Sequence, residues 1–173
     1  MPTQPSLRPF DVAVALRLLL VPEDRYEPLS TALVTSTSAA HRSVARLQQA
    51  GLCEPSSRTI NPEACHEFLR HGVRYAFPPV YGPERQGLPT AGSHPDLSAL
   101  FDDGSTMPSM VWPMDGGVVR GQTLVPLFNG VTKVATRDAQ LHQLLAVVDI
   151  LRVGTSSQRA VAADHLAHRL FAG

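Results

Sequence analysis

The stretch from Ser36 to Arg46 carries hydroxyls, an imidazole and two guanidinium groups, and no acid interrupts it. Its polar members are Ser36, Ser38, His41, Arg42, Ser43 and Arg46, with the small Ala39 among them and a further guanidinium at Arg58. This mixture suits anion recognition. Arginine forks pair with phosphate oxygens or with guanine, serine hydroxyls bond to either, and small residues let a backbone come close. A nucleophile beside a base, a carboxylate pair and a phosphate-cradling glycine loop are missing from the motifs of the sequence, so the expected mechanism is binding rather than catalysis.

The elements that would position these groups can be read around them. Leu29 and Leu33 stand four residues apart on a short helix that Pro28 can open, and Thr35 to Ser38 supply turn and capping hydroxyls. A second helix is expected from near Ser38, with Ala40, Val44 and Leu47 facing inward and Gly51 ending it in a left-handed conformation. The opposite face would then present Ser38, Ala39, His41, Arg42, Ser43 and Arg46. A helix of this kind fits a DNA major groove, where its N-terminus favours phosphate.

Two helices, the Ser/Thr turn, SAAHRSVARL at Ser38 to Leu47 and AGL at Ala50 to Leu52 resemble the winged helix-turn-helix transcription regulators, in particular the MarR-like branch. The resemblance covers roughly the first 77 residues. It implies that Ser36, Ser38, Ala39, His41, Arg42, Ser43, Arg46 and Arg58 contact double-stranded DNA, that a homodimer reads a palindromic operator, and that the protein represses transcription. Leu52 to Glu54 and Arg58 to Ile60 would form the wing hairpin, with Arg58 at its tip.

Further elements follow from periodicity. Leu7 to Leu20 reads as a first helix with Val12, Leu16, Leu19 and Leu20 on one face, and Arg25 with Tyr26 as a short strand. Asn61, Pro62 and Glu63 open a helix that runs to His71, where Gly72 stops it and 73–77 turn extended. Eight of fifteen prolines and seven of twelve glycines fall in 78–126, so an ordered but extended segment is expected there. Within it, Met110 to Trp112 suits a buried strand and Asp115 to Gly117 a turn. Helical stripes then recur at Leu124, Leu127, Phe128, Val131 and Val134, at Leu141 to Leu151 after Asp138, and at Val161, Ala162, Leu166 and Leu170 after a capping box at Thr155 to Gln158.

The fold class is therefore mainly α with a small β-wing: a DNA-binding domain over 1–77, a Pro/Gly-rich segment over 78–122 and a helical domain over 123–173 for dimerisation or partner binding. Composition sets the outer bounds. The chain has 173 residues, fifteen basic and fifteen acidic side chains and zero formal net charge, which argues for modest non-specific affinity for nucleic acid. From His41 to Arg58, however, three arginines face one acid, Glu54. No apolar run spans a bilayer, and the expected location is cytoplasmic. Cys53 and Cys65 give no disulfide framework, and although Cys65, His66 and His71 lie close together, adjacent Cys and His leave a helix in different directions, so neither metal nor cofactor is expected. Two other classes share these features: an antitoxin or defence-locus regulator that also binds a cognate protein, and an interaction adaptor that uses the winged scaffold without DNA.

Overall fold

A computed structural model of the chain describes residues 1–22, 25–101 and 106–172. It is an α+β protein, largely helical with a three-stranded sheet. The chain divides into two compact units, Met1–Cys65 and His66–Gly173.

The first unit is built from three helices. Helix α1 spans Pro9–Leu20, α2 Tyr26–Ala32 and α3 Thr37–Gln49, and α1 packs on both others. Pro9 suits the first helical position, where no backbone donor is needed. The expected strand at Arg25 and Tyr26 is absent: Arg25 caps α2, Tyr26 begins it and Pro28 falls in its first turn. Val34 takes a positive φ of 52° to reverse the chain after α2. Ser36 then caps α3, its Oγ accepting the amide of Ala39 at 3.1 Å, and Gly51 with φ 76° ends the helix without the strain a side chain would add. In α1 every residue from Asp11 to Leu16 and also Leu18 is buried, the expected Val12 and Leu16 among them, whereas the expected Leu19 and Leu20 are half-buried.

After α3 the chain makes a minimal hairpin. Cys53 pairs with Ile60 in a single antiparallel bridge, flanked by bonds from Glu54 N to Thr59 O at 2.8 Å and from Asn61 N to Leu52 O at 2.9 Å. Asn61 Oδ1 then caps α4, Pro62–His71, by accepting the amide of Ala64 at 3.0 Å. Cys65 on this helix is buried, and burial pushes its thiol up to about 12.

In the second unit Val73–Ala76 forms a short helix, α5, where an extended segment was expected. The Pro/Gly-rich stretch is not an arm but the sheet itself. Strand β1, Tyr81–Thr90, pairs antiparallel with β3, Val119–Leu124, through its first half and with β2, Met110–Pro113, through its second; β2 and β3 pair in parallel and close the ring. Gly87 is the crossing point, facing both Val119 and Pro113. A Cβ there would lie 2.1 Å from the carbonyl oxygen of Trp112, so only glycine permits this approach. The buried strand at Met110 to Trp112 and the turn at Gly116, φ 76°, stand as the sequence suggests. A short helix α6, Pro95–Ser98, lies between β1 and β2.

Leu124 ends a strand rather than beginning a helix, and helix α7 starts only at Val131, running to Arg137. Asp138 caps α8, Ala139–Val153, and Thr155 caps α9, Ser156–Phe171, by the reciprocal bonds to Gln158 that the sequence announces. Helix α8 is the axis of this unit: every residue from Leu144 to Arg152 is buried, covered by α5, α7, α9 and the start of the sheet. Its apolar positions are thus covered inside the chain, where the sequence alone left open whether this core was completed within the chain or by a second copy. On α9, Ala162 and Leu166 are buried while Val161 and Leu170 are half-buried.

The buried side of the sheet meets α8 through a polar knot. Asp149, fully enclosed, accepts Thr90 Oγ1 at 2.6 Å and Trp112 Nε1 at 2.9 Å on one oxygen and Arg152 Nη1 at 2.8 Å on the other. Burial pushes its carboxyl upward against the pull of Arg152. Arg152 in turn donates to the carbonyls of Phe77 at 2.8 Å and Pro78 at 3.2 Å, and His142 bonds the carbonyl of Pro89 at 2.9 Å. One helix therefore fixes the entry to β1, its end, and β2.

Candidate nucleic-acid interface

The candidate interface lies in the first unit, on the outward side of α3. Packing on α1 and α2 decides what that side contains. Ala40, Ser43, Val44 and Leu47 are buried, and Ser36, Thr37, Ser38, His41, Arg42, Ala45 and Gln49 are exposed. Ala39 is half-buried beside them. The N-terminal half of the helix thus offers short side chains and one guanidinium to solvent, at the end where the helix dipole favours an anion.

Two expected contact residues are turned the other way. Ser43 has no exposed surface, and its Oγ donates to Asp11 Oδ1 at 2.6 Å. Arg46 reaches back across α3 to the same carboxylate, with Nη2 2.7 Å from Oδ1 and Nε 2.8 Å from Oδ2. Only 18 % of the Arg46 side chain is exposed and 1 % of Asp11. The hydrogen bond and charge of Asp11 raise the guanidinium above its usual range, against the smaller opposing effect of burial. A fourth donor, the amide of Arg8, meets Asp11 Oδ2 at 2.8 Å and completes its shell. Ser43 and Arg46 therefore fasten α3 to α1 and are not available to a ligand in this arrangement.

The remaining candidates cluster. Arg42 Nη1 donates to Ser38 Oγ at 3.2 Å, one turn back on the same exposed face. His41 stacks on Tyr26 with ring centroids 3.4 Å apart and 24° between planes. The Arg58 guanidinium sits over the same ring, 4.7 Å from its centroid. Arg58 is half-buried, not a loop-tip side chain reaching into solvent. Tyr26 is thus the residue that sequence reasoning missed: assigned to a strand, it instead opens α2 and ties α3 to the hairpin by stacking with an imidazole and a cation. Its aromatic type beside a helical Leu29 and Leu33 was the available signal.

Electrostatically the unit is balanced, with six arginines and six carboxylic acids in residues 1–65. Arg46 is cancelled by Asp11. On the candidate face the cations are the exposed Arg42 and the half-buried Arg58, with His41 next to them, so the face is a small positive patch on a neutral body. No family model, no curated protein and no solved structure matches the chain.

Proposed function

We propose that the chain is a sequence-specific, double-stranded DNA-binding regulator of transcription, and that residues 1–65 form a winged helix-turn-helix module of the MarR-like kind. One observation carries the reading: α3 follows α2 through a tight capped turn, is held on α1 by its apolar face, and leaves Ser38, Ala39, His41 and Arg42 outward at its N-terminal end. Such a helix enters a major groove N-terminus first. In this reading Arg42 makes the strongest base or phosphate contact, Ser36 and Ser38 bond phosphate, and His41 with Arg58 lies along the flank where the short hairpin stands in place of a long wing. The neutral body keeps non-specific attraction low, so binding depends on a matched site.

A repressor of this kind acts as a homodimer on an inverted repeat. Because α8 is covered within the chain, the pairing surface has to come from other residues.

The test is selection of DNA fragments retained by the purified full chain, followed by sequencing. An enriched inverted repeat is expected, with its retention lost in Arg42→Ala. Retention without enrichment, or none, would leave the adaptor reading, which the zero net charge of the first unit favours.

A further inference from the structure

We propose that the cleft between the end of α4, helix α5 and the first turn of α9 is a binding site for a small phosphomonoester. The cleft has a volume of about 290 Å³ and is walled by Arg70, His71, Arg74, Tyr75, Ser156 and Arg159. Three guanidinium groups line it and no carboxylate does. None of the three forms an ion pair with an acid among the described residues. Three like charges around one small cavity repel one another, and a bound dianion removes that repulsion while gaining charge-assisted hydrogen bonds.

Two of the three cations are held in place by contacts of their own. Arg159 Nη1 donates to the carbonyl of Gly154 at 2.6 Å and Nη2 to Ser156 Oγ at 3.2 Å. The Arg74 guanidinium lies 4.4 Å from the centre of the Tyr75 ring and also donates to its hydroxyl. One turn away from the lining residues on each helix, His66 Nε2 bonds the carbonyl of Ala163 at 2.9 Å, which ties α4 to α9. Helix α9 is sixteen residues long, has no acid in its first turn and points its N-terminal end at the cavity through Ser156.

A second open cleft, at Glu84, Arg85 and Arg120, lacks this imbalance: Arg120 pairs with Glu84 at 3.2 Å and Asp115 adds another acid. Size sets the ligand. The cavity is near the lower edge of the roughly 300–1,000 Å³ range of small-molecule pockets, so it accommodates a phosphate with a modest organic group. Tyr75, 70 % exposed at the rim, offers an aromatic surface to that group.

The experiment uses the full chain and two probes, inorganic phosphate and adenosine monophosphate, titrated by calorimetry at matched ionic strength. One saturable site with a Kd of about 1 mM or tighter is expected for each. Arg70→Gln together with Arg74→Gln should weaken it at least about tenfold, because both charge and forked donors are lost. Phosphate added to the parent protein should move the amide resonances of Ser156, Arg159 and Arg70 together. Absence of binding up to about 10 mM probe, or Kd values unchanged in the double variant, would overturn the proposal. Scattered resonance shifts would do the same. Loss of DNA retention in the double variant without any binding of the two probes would assign the arginines to a nucleic-acid backbone and also reject the small-ligand site. No DNA enters the phosphate titration, so its outcome leaves the α3 reading to stand or fall on Arg42.

Discussion

Among the described residues, replacing Arg46 with alanine removes two of the four donors around Asp11 and the only opposite charge that touches it. Ser43 Oγ and the Arg8 amide remain, both neutral. Truncating one member of a buried pair costs about 3–5 kcal/mol, since the surviving charge is left uncompensated. Arg46 is 18 % exposed, so water partly reaches the carboxylate after the truncation and the lower end applies, about 3 kcal/mol. A unit of this size has a total stability of roughly 3–10 kcal/mol. The loss is therefore a large share of it, equivalent to a fall in Tm of about 12–24 °C. Urea unfolding followed by circular dichroism, with a probe on the first unit, measures it. Asp11→Asn combined with Arg46→Met removes both charges and should recover at least about 1 kcal/mol relative to the sum of the single changes. Arg42→Ala, by contrast, should stay within about 0.5 kcal/mol of the parent in stability. If Arg46→Ala unfolded at the parent's urea concentration and lost DNA binding while folded, Arg46 would be a contact residue and the clamp reasoning would be wrong.

Arg42→Ala should weaken binding to a selected DNA by about 1–3 kcal/mol, read by a fluorescence titration of the folded variant. Val44→Asp puts a carboxylate at a fully buried position of α3 and should abolish cooperative unfolding of the first unit, whereas a normal transition would mean the helix faces the other way. Gly87→Ala places a methyl on the Trp112 carbonyl and should cost about 3 kcal/mol or more; a Tm within about 2 °C of the parent would disprove the tight crossing of the strands. Stability of the second unit should decline as pH falls from about 7.5 to 5.5: burial, and for His94 its neighbour His142, depress both imidazoles below the ordinary 6.5, so the unfolded chain binds more protons in that window. Their rings lie 4.4 Å apart with Asp96 the nearby acid, and His94→Gln with His142→Gln should flatten the Tm profile over that range, where an unchanged slope would assign the effect elsewhere.

Helix α3 was legible because its stop signal and apolar spacing agree, and α8 and α9 because their caps are written in the chain as Asp138 and Thr155 with Gln158. The groove face was only half legible. With 3.6 residues per turn, Ser43 lies about 60° from Ala40 and so within the buried stripe. Its hydroxyl masked that phase, because a buried serine needs a partner that periodicity does not reveal. The partner, Asp11, looks in the sequence like an ordinary acid in a helical first turn. Strand β1 was hidden for a different reason. Pro83, Pro89, Gly82 and Gly87 read as breakers, yet Pro83 falls where the pairing with β3 shifts register and Gly87 where two strands converge. Proline and glycine are tolerated in strands at such irregularities, and the residues between them, Glu84 to Gln86, are exposed and carry no apolar alternation.

Among the described residues each unit has one buried carboxylate on a helix, and each assigns an arginine to it. Asp11 takes a forked contact from Arg46, and Asp149 takes one nitrogen of Arg152 while that guanidinium's other two nitrogens serve the carbonyls of Phe77 and Pro78. A lysine ammonium could neutralise either acid but lacks the planar array of five donors that reaches a carboxylate and two carbonyls at once. Fourteen arginines against one lysine are thus put to structural use at two of their positions. The same accounting bears on ligand binding. Arginines spent inside the units contribute nothing to an external anion, whereas Arg42 on α3 and Arg70, Arg74 and Arg159 around one cleft are turned outward. A chain of zero net charge can in this way keep two local anion sites without the general stickiness of a basic protein, because attraction beyond about 10 Å is screened in salt and only the nearby charge matters.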